Sequence, residues 1–199
     1  MLRIGITGNI GAGKTTVLEI LKKMDIPVVS SDDLVRSFQK QGNVLWQEIK
    51  KEWDQKYIRE NGNINREKMR ESLLNEPDFK QKIEEITHPL VHQEIKKIFN
   101  VWEKEGNKIA AAEVPLLYEA GWQDVFDKTI LIWAPDELRI KRIMEERNLS
   151  KKDAKKWLGL QSSQQEKKGK ADYVLNTQER VEDTEKKIKK ILENIKEEG

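Results

Sequence analysis

The sequence predicts an α/β fold built on a mainly parallel sheet. Three observations carry that prediction. Short apolar runs recur along the 199 residues, with helical patterns between them, which is the signature of strands joined by crossover helices. The runs look like buried strands of a parallel sheet. The first of them leads through a glycine-rich loop straight into a helical pattern.

That first run is Leu2–Thr7. It is followed by Gly8-Asn-Ile-Gly-Ala-Gly-Lys14-Thr15, then by Thr16-Val-Leu-Glu-Ile-Leu-Lys-Lys, a good helical stretch. The loop reads G-x-x-x-x-G-K-[ST], the P-loop pattern, in the strand-to-helix context the pattern needs. Its glycines let backbone N–H groups turn inward on a phosphate. The helix start adds the positive end of its dipole. Lys14 is placed to reach the β- and γ-phosphates, and the Thr15 hydroxyl to hold Mg²⁺.

Four further runs read as strands: Ile26–Ser30, Ile109–Val114, Lys128–Ala134 and Asp172–Asn176. Between the second and third lies a stretch too long for one crossover helix, which reads as a helical insertion. Within it, Val44, Leu45, Ile49 and Trp53 mark one helix, and Glu60-Asn-Gly-Asn is a turn signal. Asn65 is a cap for a helix through Met69, Leu73 and Leu74. Val91, Ile95, Ile98, Phe99 and Trp102 share one face of another helix, with Pro89 expected in its first turn. After the fourth strand, Pro135-Asp136-Glu137 opens a helix bearing Arg139, Lys141, Arg142 and Arg147, and Ser150-x-x-Asp153 has the form of a capping box. Lys151 to Lys170 is polar and basic, a candidate mobile segment. Ile188, Ile191, Leu192 and Ile195 line one face of a closing helix, Val181 to Ile195.

Composition narrows the function classes. Lys and Arg number 37 against 35 Asp and Glu, a net charge of +2, so the basic footprint of a nucleic-acid binder is missing. There is no cysteine, which excludes disulfides, thiolate metal sites and cysteine nucleophiles. Met1 leads directly into the first strand, leaving no room for a signal peptide. No apolar run is long enough to span a membrane. A soluble cytoplasmic protein is expected, working as a monomer on a small molecule.

A P-loop implies phosphate binding but not a reaction. The D-x-x-G and N-K-x-D elements of a GTPase switch are missing. Ile109-Ala-Ala-Ala-Glu113 ends in a single glutamate rather than the Asp-Glu of a mechanical ATPase. A small-molecule kinase needs a base near the acceptor hydroxyl, an acceptor pocket and basic groups to gather charge. Asp32, in Val29-Ser-Ser-Asp-Asp-Leu-Val-Arg36, lies just past the end of the second strand, where ligands bind in open parallel sheets. A carboxylate there can take a proton from an acceptor or hold Mg²⁺ through water, while Asp33 is expected to cap the helix that follows. His88 precedes Pro89, and from spacing alone it is more readily structural than substrate-binding. Val114-Pro-Leu-Leu-Tyr-Glu119 either lines an acceptor pocket or is plain core. Arg139 and Arg142 share a helix face, and an arginine there suits phosphate oxygens. A kinase for another acceptor and an ATP-binding regulator without transfer chemistry both remain open on these residues alone.

Taken together, these residues resemble the dephospho-CoA kinase family of P-loop kinases. The likeness runs over nearly the whole chain. It covers Ile6–Thr16, Ser31-Asp32 with Arg36, His88-Pro89-Leu90, Val114-Pro-Leu-Leu117 with Glu119, Lys141-Arg142, Gln161, Glu166-Lys167 and Ala171-Asp172-Tyr173-Val174. The resemblance implies a three-layer P-loop fold with a five-stranded parallel sheet in the order 2-3-1-4-5. It implies a single kinase domain with a core of 1–37, 106–147 and 171–199, an acceptor-binding insertion over 38–105 and a lid over 148–170. It implies ATP as phosphoryl donor, the ribose 3′-hydroxyl of dephospho-CoA as acceptor, and coenzyme A with ADP as products, the last step of coenzyme A biosynthesis. Gly11, Ala12, Gly13, Lys14, Thr15 and Thr16 then hold ATP, with Mg²⁺ on Thr15 and Asp32. Lys14, Asp32 and Arg142 carry the catalysis, and Thr7, Asp32, His88, Pro115, Leu116 and Arg142 border the acceptor. Two positions depart from the family pattern. Trp157 stands where a lid arginine is usual, and Val174-Leu-Asn176-Thr-Gln lacks the usual glycine.

Overall fold

The computed structural model describes residues 1–159 and 163–198. In chain order the described elements are β1 (Leu2–Thr7), α1 (Lys14–Lys23), β2 (Val28–Ser30), α2 (Ser31–Phe38), α3 (Val44–Tyr57), α4 (Arg66–Asn75) and α5 (Pro77–Lys104). Then come β3 (Ile109–Glu113), β4 (Lys128–Trp133), α6 (Asp136–Arg147), α7 (Lys151–Gly159), α8 (Gln164–Lys168), β5 (Tyr173–Asn176) and α9 (Val181–Glu197). All five predicted strands form, with ends shifted by two residues at most. They make one sheet in the order β2-β3-β1-β4-β5, parallel at β1–β3, β1–β4 and β4–β5.

The chain divides into two compact units, Met1–Val29 with Phe99–Gly199 and Ser30–Ile98. The first holds the sheet. Ile4 and Ile6 of β1 point to one face, with Ile130 and Ile132 of β4 and Leu175 of β5, where Val17, Ile20 and Leu21 of α1 and Ile188, Leu192 and Ile195 of α9 pack on them. Gly5 faces the other way, and a Cβ there would lie 2.7 Å from Leu117 and 2.9 Å from Phe126. Phe126 meets Phe99 edge to face at 6.0 Å. Both sheet faces are therefore covered, giving three layers.

The second unit is helical and has its own core of Leu45, Ile49, Tyr57, Ile64, Met69, Phe79 and Ile83. Trp53 meets Phe79 edge to face at 5.0 Å, and the Tyr57 and Phe79 centroids are 4.7 Å apart. Trp53 itself has φ −147° and ψ 31°, a kink inside α3. The Glu60–Asn63 turn forms, closed by Gly62 N–H to Arg59 O at 2.8 Å. Asn65 caps α4, accepting from Lys68 N–H at 3.2 Å.

Two expectations are corrected. Pro89 does not start a helix: it lies inside α5, which begins at Pro77. Pro89 removes one backbone donor from α5. The helix nevertheless runs through it, with Phe79 and Ile83 buried before it and Val91 and Ile95 after it. Asp33 does not cap α2 either. The cap position is Ser30, with no side-chain cap bond, and Asp33 lies in the first turn, where it accepts from Arg36 at 3.0 Å.

Candidate active site

The first unit builds a glycine-rich cradle from β1, the loop and α1. Gly13 occupies the cap position of α1 at φ 90° and ψ 26°, a left-handed conformation that costs a residue with a Cβ. Gly11 has φ +73°, and a Cβ there would lie 2.8 Å from the Arg139 carbonyl oxygen. The loop closes on itself through Ala12 N–H to Asn9 O at 3.1 Å. Thr15 is exposed on the first turn of α1, and Thr16 is partly buried.

Lys14 arches back over the loop. Its ammonium donates to Asn9 O at 3.4 Å and lies 3.9 Å from Glu113 Oε1 at the end of β3. The β1–β3 register sets Glu113 opposite Ile6, which brings this glutamate to the loop. In the sequence Glu113 argues only against a motor ATPase, and its partnership with Lys14 follows from the sheet register.

Arg142 of α6 fastens the loop to the turn after β5. Its Nη1 donates to Gly11 O at 3.2 Å and to Thr177 Oγ1 at 3.1 Å, and its Nη2 donates to Thr177 O at 2.8 Å. The Thr177 hydroxyl in turn donates to Ala12 O at 2.6 Å. Two loop carbonyls, Gly11 O and Ala12 O, are thus held from α6 and from the turn after β5. Thr177 carries no motif, and only the contact between positions 165 residues apart reveals it.

Around the end of β3, Thr7 is fully buried and donates its hydroxyl to Pro115 O at 3.2 Å. Lys167 of α8, 1% exposed as a residue, donates to the same oxygen at 2.8 Å and pairs with Glu119 at 3.0 Å. Leu116, next to that carbonyl, is exposed. The polar segment 148–170 therefore contributes a buried charge to the Val114–Glu119 loop, a role that its composition alone does not reveal.

Arg139 lies beneath the loop. Burial pulls its guanidinium below its ordinary pKa, and Asp136 opposes that shift. In the segment 148–170, the Ser150 hydroxyl accepts from Asp153 N–H at 3.2 Å, so the predicted cap forms. Trp157 carries the Arg147 guanidinium 4.6 Å from its ring centroid. Gln161 lies outside the described residues.

In the second unit, Asp32 is exposed in the first turn of α2. His88 is partly buried in the middle of α5. Among the described residues no group of three or more His, Asp or Glu is gathered to hold a metal ion. No described helix is long and apolar enough to cross a membrane.

A parallel sheet whose first strand feeds a glycine cradle, with a lysine over the loop and an arginine behind it, defines a P-loop kinase. The chain belongs to the dephospho-CoA kinase family, whose model matches residues 2–183. The dephospho-CoA kinase of Aquifex aeolicus is 33% identical over 195 residues, 98% of each chain. That of Listeria monocytogenes is 31% identical over 93% of this chain and 92% of its own. The crystal structure of TT1252 from Thermus thermophilus superposes with a TM-score of 0.83 at 28% identity over 97% of both chains. Dephospho-CoA kinase from Campylobacter jejuni gives 0.63 at 26% identity, over 97% of this chain and 96% of its own. Shikimate kinase from Bacteroides thetaiotaomicron, at 15% identity and 0.56 over 96% of this chain and 98% of its own, shares the fold.

Proposed function

We propose that this chain transfers the γ-phosphoryl group of ATP to the ribose 3′-hydroxyl of dephospho-CoA, releasing coenzyme A and ADP. The observation that carries the reading is the family match over residues 2–183, joined to a cradle with Lys14 arched over it. In this mechanism the acceptor oxygen attacks the γ-phosphorus, the bond to the β-phosphate oxygen breaks, and the hydroxyl proton passes to Asp32. Phosphoryl transfer asks mainly for positioning and charge stabilisation. The loop from Gly11 to Thr16 holds the phosphates, Lys14 follows the charge onto the leaving oxygen, and Arg142 keeps the loop in shape.

Mg²⁺ fits the donor set. The exposed Thr15 hydroxyl is a hard oxygen ligand, and no protein cage competes with it among the described residues. This ion is usually held by a few protein oxygens and the substrate phosphates. Thr15 and Asp32 would hold it, and it would neutralise charge on the β- and γ-oxygens. Thr7, His88, Pro115 and Leu116 border the acceptor. The insertion over 38–105 grips it, and the segment 148–170 acts as a lid that keeps water from competing.

The test is ADP release from the purified protein with Mg-ATP and a panel of acceptors. The expected outcome is release that requires dephospho-CoA, with a product heavier by one phosphoryl group. Release with adenosine or AMP but not dephospho-CoA would assign a different acceptor.

A further inference from the structure

A second polar cluster lies beside the phosphate loop, and the transfer mechanism does not use it. Arg139 is 3% exposed. Its Nε donates to Ile10 O at 2.9 Å and its Nη1 to Asp136 Oδ1 at 2.8 Å, while its Nη2 has no partner among the described residues. Gln164 of α8 is 9% exposed. Its Nε2 donates to Ala134 O and to Asp136 Oδ1, both at 3.1 Å. Both of those partners are acceptors, which fixes the amide orientation. The oxygen that remains, Oε1, is also without a partner among the described residues. One donor and one acceptor are thus left over on two side chains that share the same carboxylate oxygen. Buried polar groups are normally satisfied, so each exception calls for an explanation.

Both residues line a cavity of about 550 Å³, together with Asn9, Trp133, Leu158 and Ser163. That volume falls in the range of small-molecule sites, roughly 300–1,000 Å³. The lining selects the ligand. Asp136 balances the charge of Arg139, so the site does not favour a phosphate. An indole and a leucine suit a flat, largely apolar body, and the leftover donor and acceptor suit a group with an acceptor beside a donor. The amino edge of adenine has this form. The cavity is also tied to the acceptor side of the site: Gln164 lies three residues before Lys167, which grips Pro115 O.

We propose that this cavity receives the adenine base of the acceptor nucleotide, with Gln164 Oε1 accepting from the exocyclic amino group and Arg139 Nη2 donating to the neighbouring ring nitrogen. This rests on the acceptor role given above to Pro115 and Leu116. Small side-chain movements expose the two atoms, which are buried.

The experiment compares dephospho-CoA with its counterpart carrying hypoxanthine, which presents an acceptor where adenine presents the amino donor. Both are used with the native enzyme and with Gln164→Leu. The native enzyme should favour the adenine acceptor in kcat/KM by about tenfold or more, and Gln164→Leu should raise KM for dephospho-CoA about tenfold and remove most of that preference. KM for ATP should stay within roughly twofold, since a hydrogen bond to one substrate's base does not act on the other. Equal kcat/KM for the two acceptors in the native enzyme would overturn the assignment. So would a variant whose KM rises for ATP rather than for dephospho-CoA. Calorimetric titration of the same two acceptors separates this inference from the transfer reading. Tighter binding of the adenine form without turnover would keep the base site and refute the kinase activity, whereas turnover with no base preference would do the reverse.

Discussion

The two compact units of this chain are stabilised in different ways. In the first, charged side chains are spent on backbone carbonyls: Arg142 on Gly11 and Thr177, Arg139 on Ile10, Lys167 on Pro115. Each bond fixes a stretch of loop at the end of a parallel strand. In the second, the aromatic rings of Trp53, Tyr57 and Phe79 pack together beside the aliphatic side chains of the core. Its ion pairs, such as Lys56 with Glu76 and Lys82 with Glu52, lie at the surface. The difference is instructive. A cradle for phosphate needs its N–H groups held in place before the ligand arrives, and directional bonds to the backbone do that. The helical unit takes its stability from apolar packing instead.

Lys14→Ala attacks the function of the first unit without its scaffold and should have the largest effect. Turnover should fall by about 10²–10³ or more, as for loss of a positioned charge. The melting temperature should fall less than in Phe79→Ala, because Lys14 is bound to Asn9 O and to Glu113 over long distances, 3.4 and 3.9 Å. Phe79→Ala attacks the scaffold of the second unit. Removing a buried phenylalanine costs about 3–5 kcal/mol, and hydrogen exchange should show faster opening within residues 30–98 while amides of β1 and β3 stay protected. Lys167→Met sharpens the contrast from within the first unit. It removes one of the two donors described on Pro115 O, and KM for dephospho-CoA should rise about tenfold, as for one lost charge-assisted bond, more than KM for ATP.

The smallest effect is that of acid on the surface pairs. Hydrogen bonds from Lys82 and Lys56 hold the Glu52 and Glu76 carboxyls below their ordinary values. A carboxyl depressed in the folded state adds stability above its unfolded pKa, about 4.3, and loses it as pH falls through the folded value. Melting followed from pH 6 to pH 3 should therefore show a decline below about pH 4 that becomes shallower in Lys56→Met. Both carboxylates are exposed, so the change is small.

Much of this contrast was legible in the sequence. Local patterns marked the glycine loop, the five strands and the Asn65 cap, because each is decided by residues close together in the chain. Pro89 misled, since a proline reads as a helix start and only burial on both sides of it shows that α5 continues. Thr177, Glu113 and the roles of Lys167 and Arg139 were illegible for another reason. Their partners lie far along the chain, 52 residues away for Lys167 and 129 for Arg139, and register across the sheet brings Glu113 to the loop. The resemblance to the kinase family supplied the strand order, which no periodicity in the chain encodes.

The most direct test of the division of labour is Asp32→Asn, measured for ATP binding and for turnover side by side. The carboxylate belongs to the second unit and the cradle to the first. Affinity for metal-free ATP should stay within roughly twofold while kcat falls by about 10²–10⁴, the usual contribution of a general base. Retained turnover, or loss of ATP affinity with no change in kcat, would contradict it.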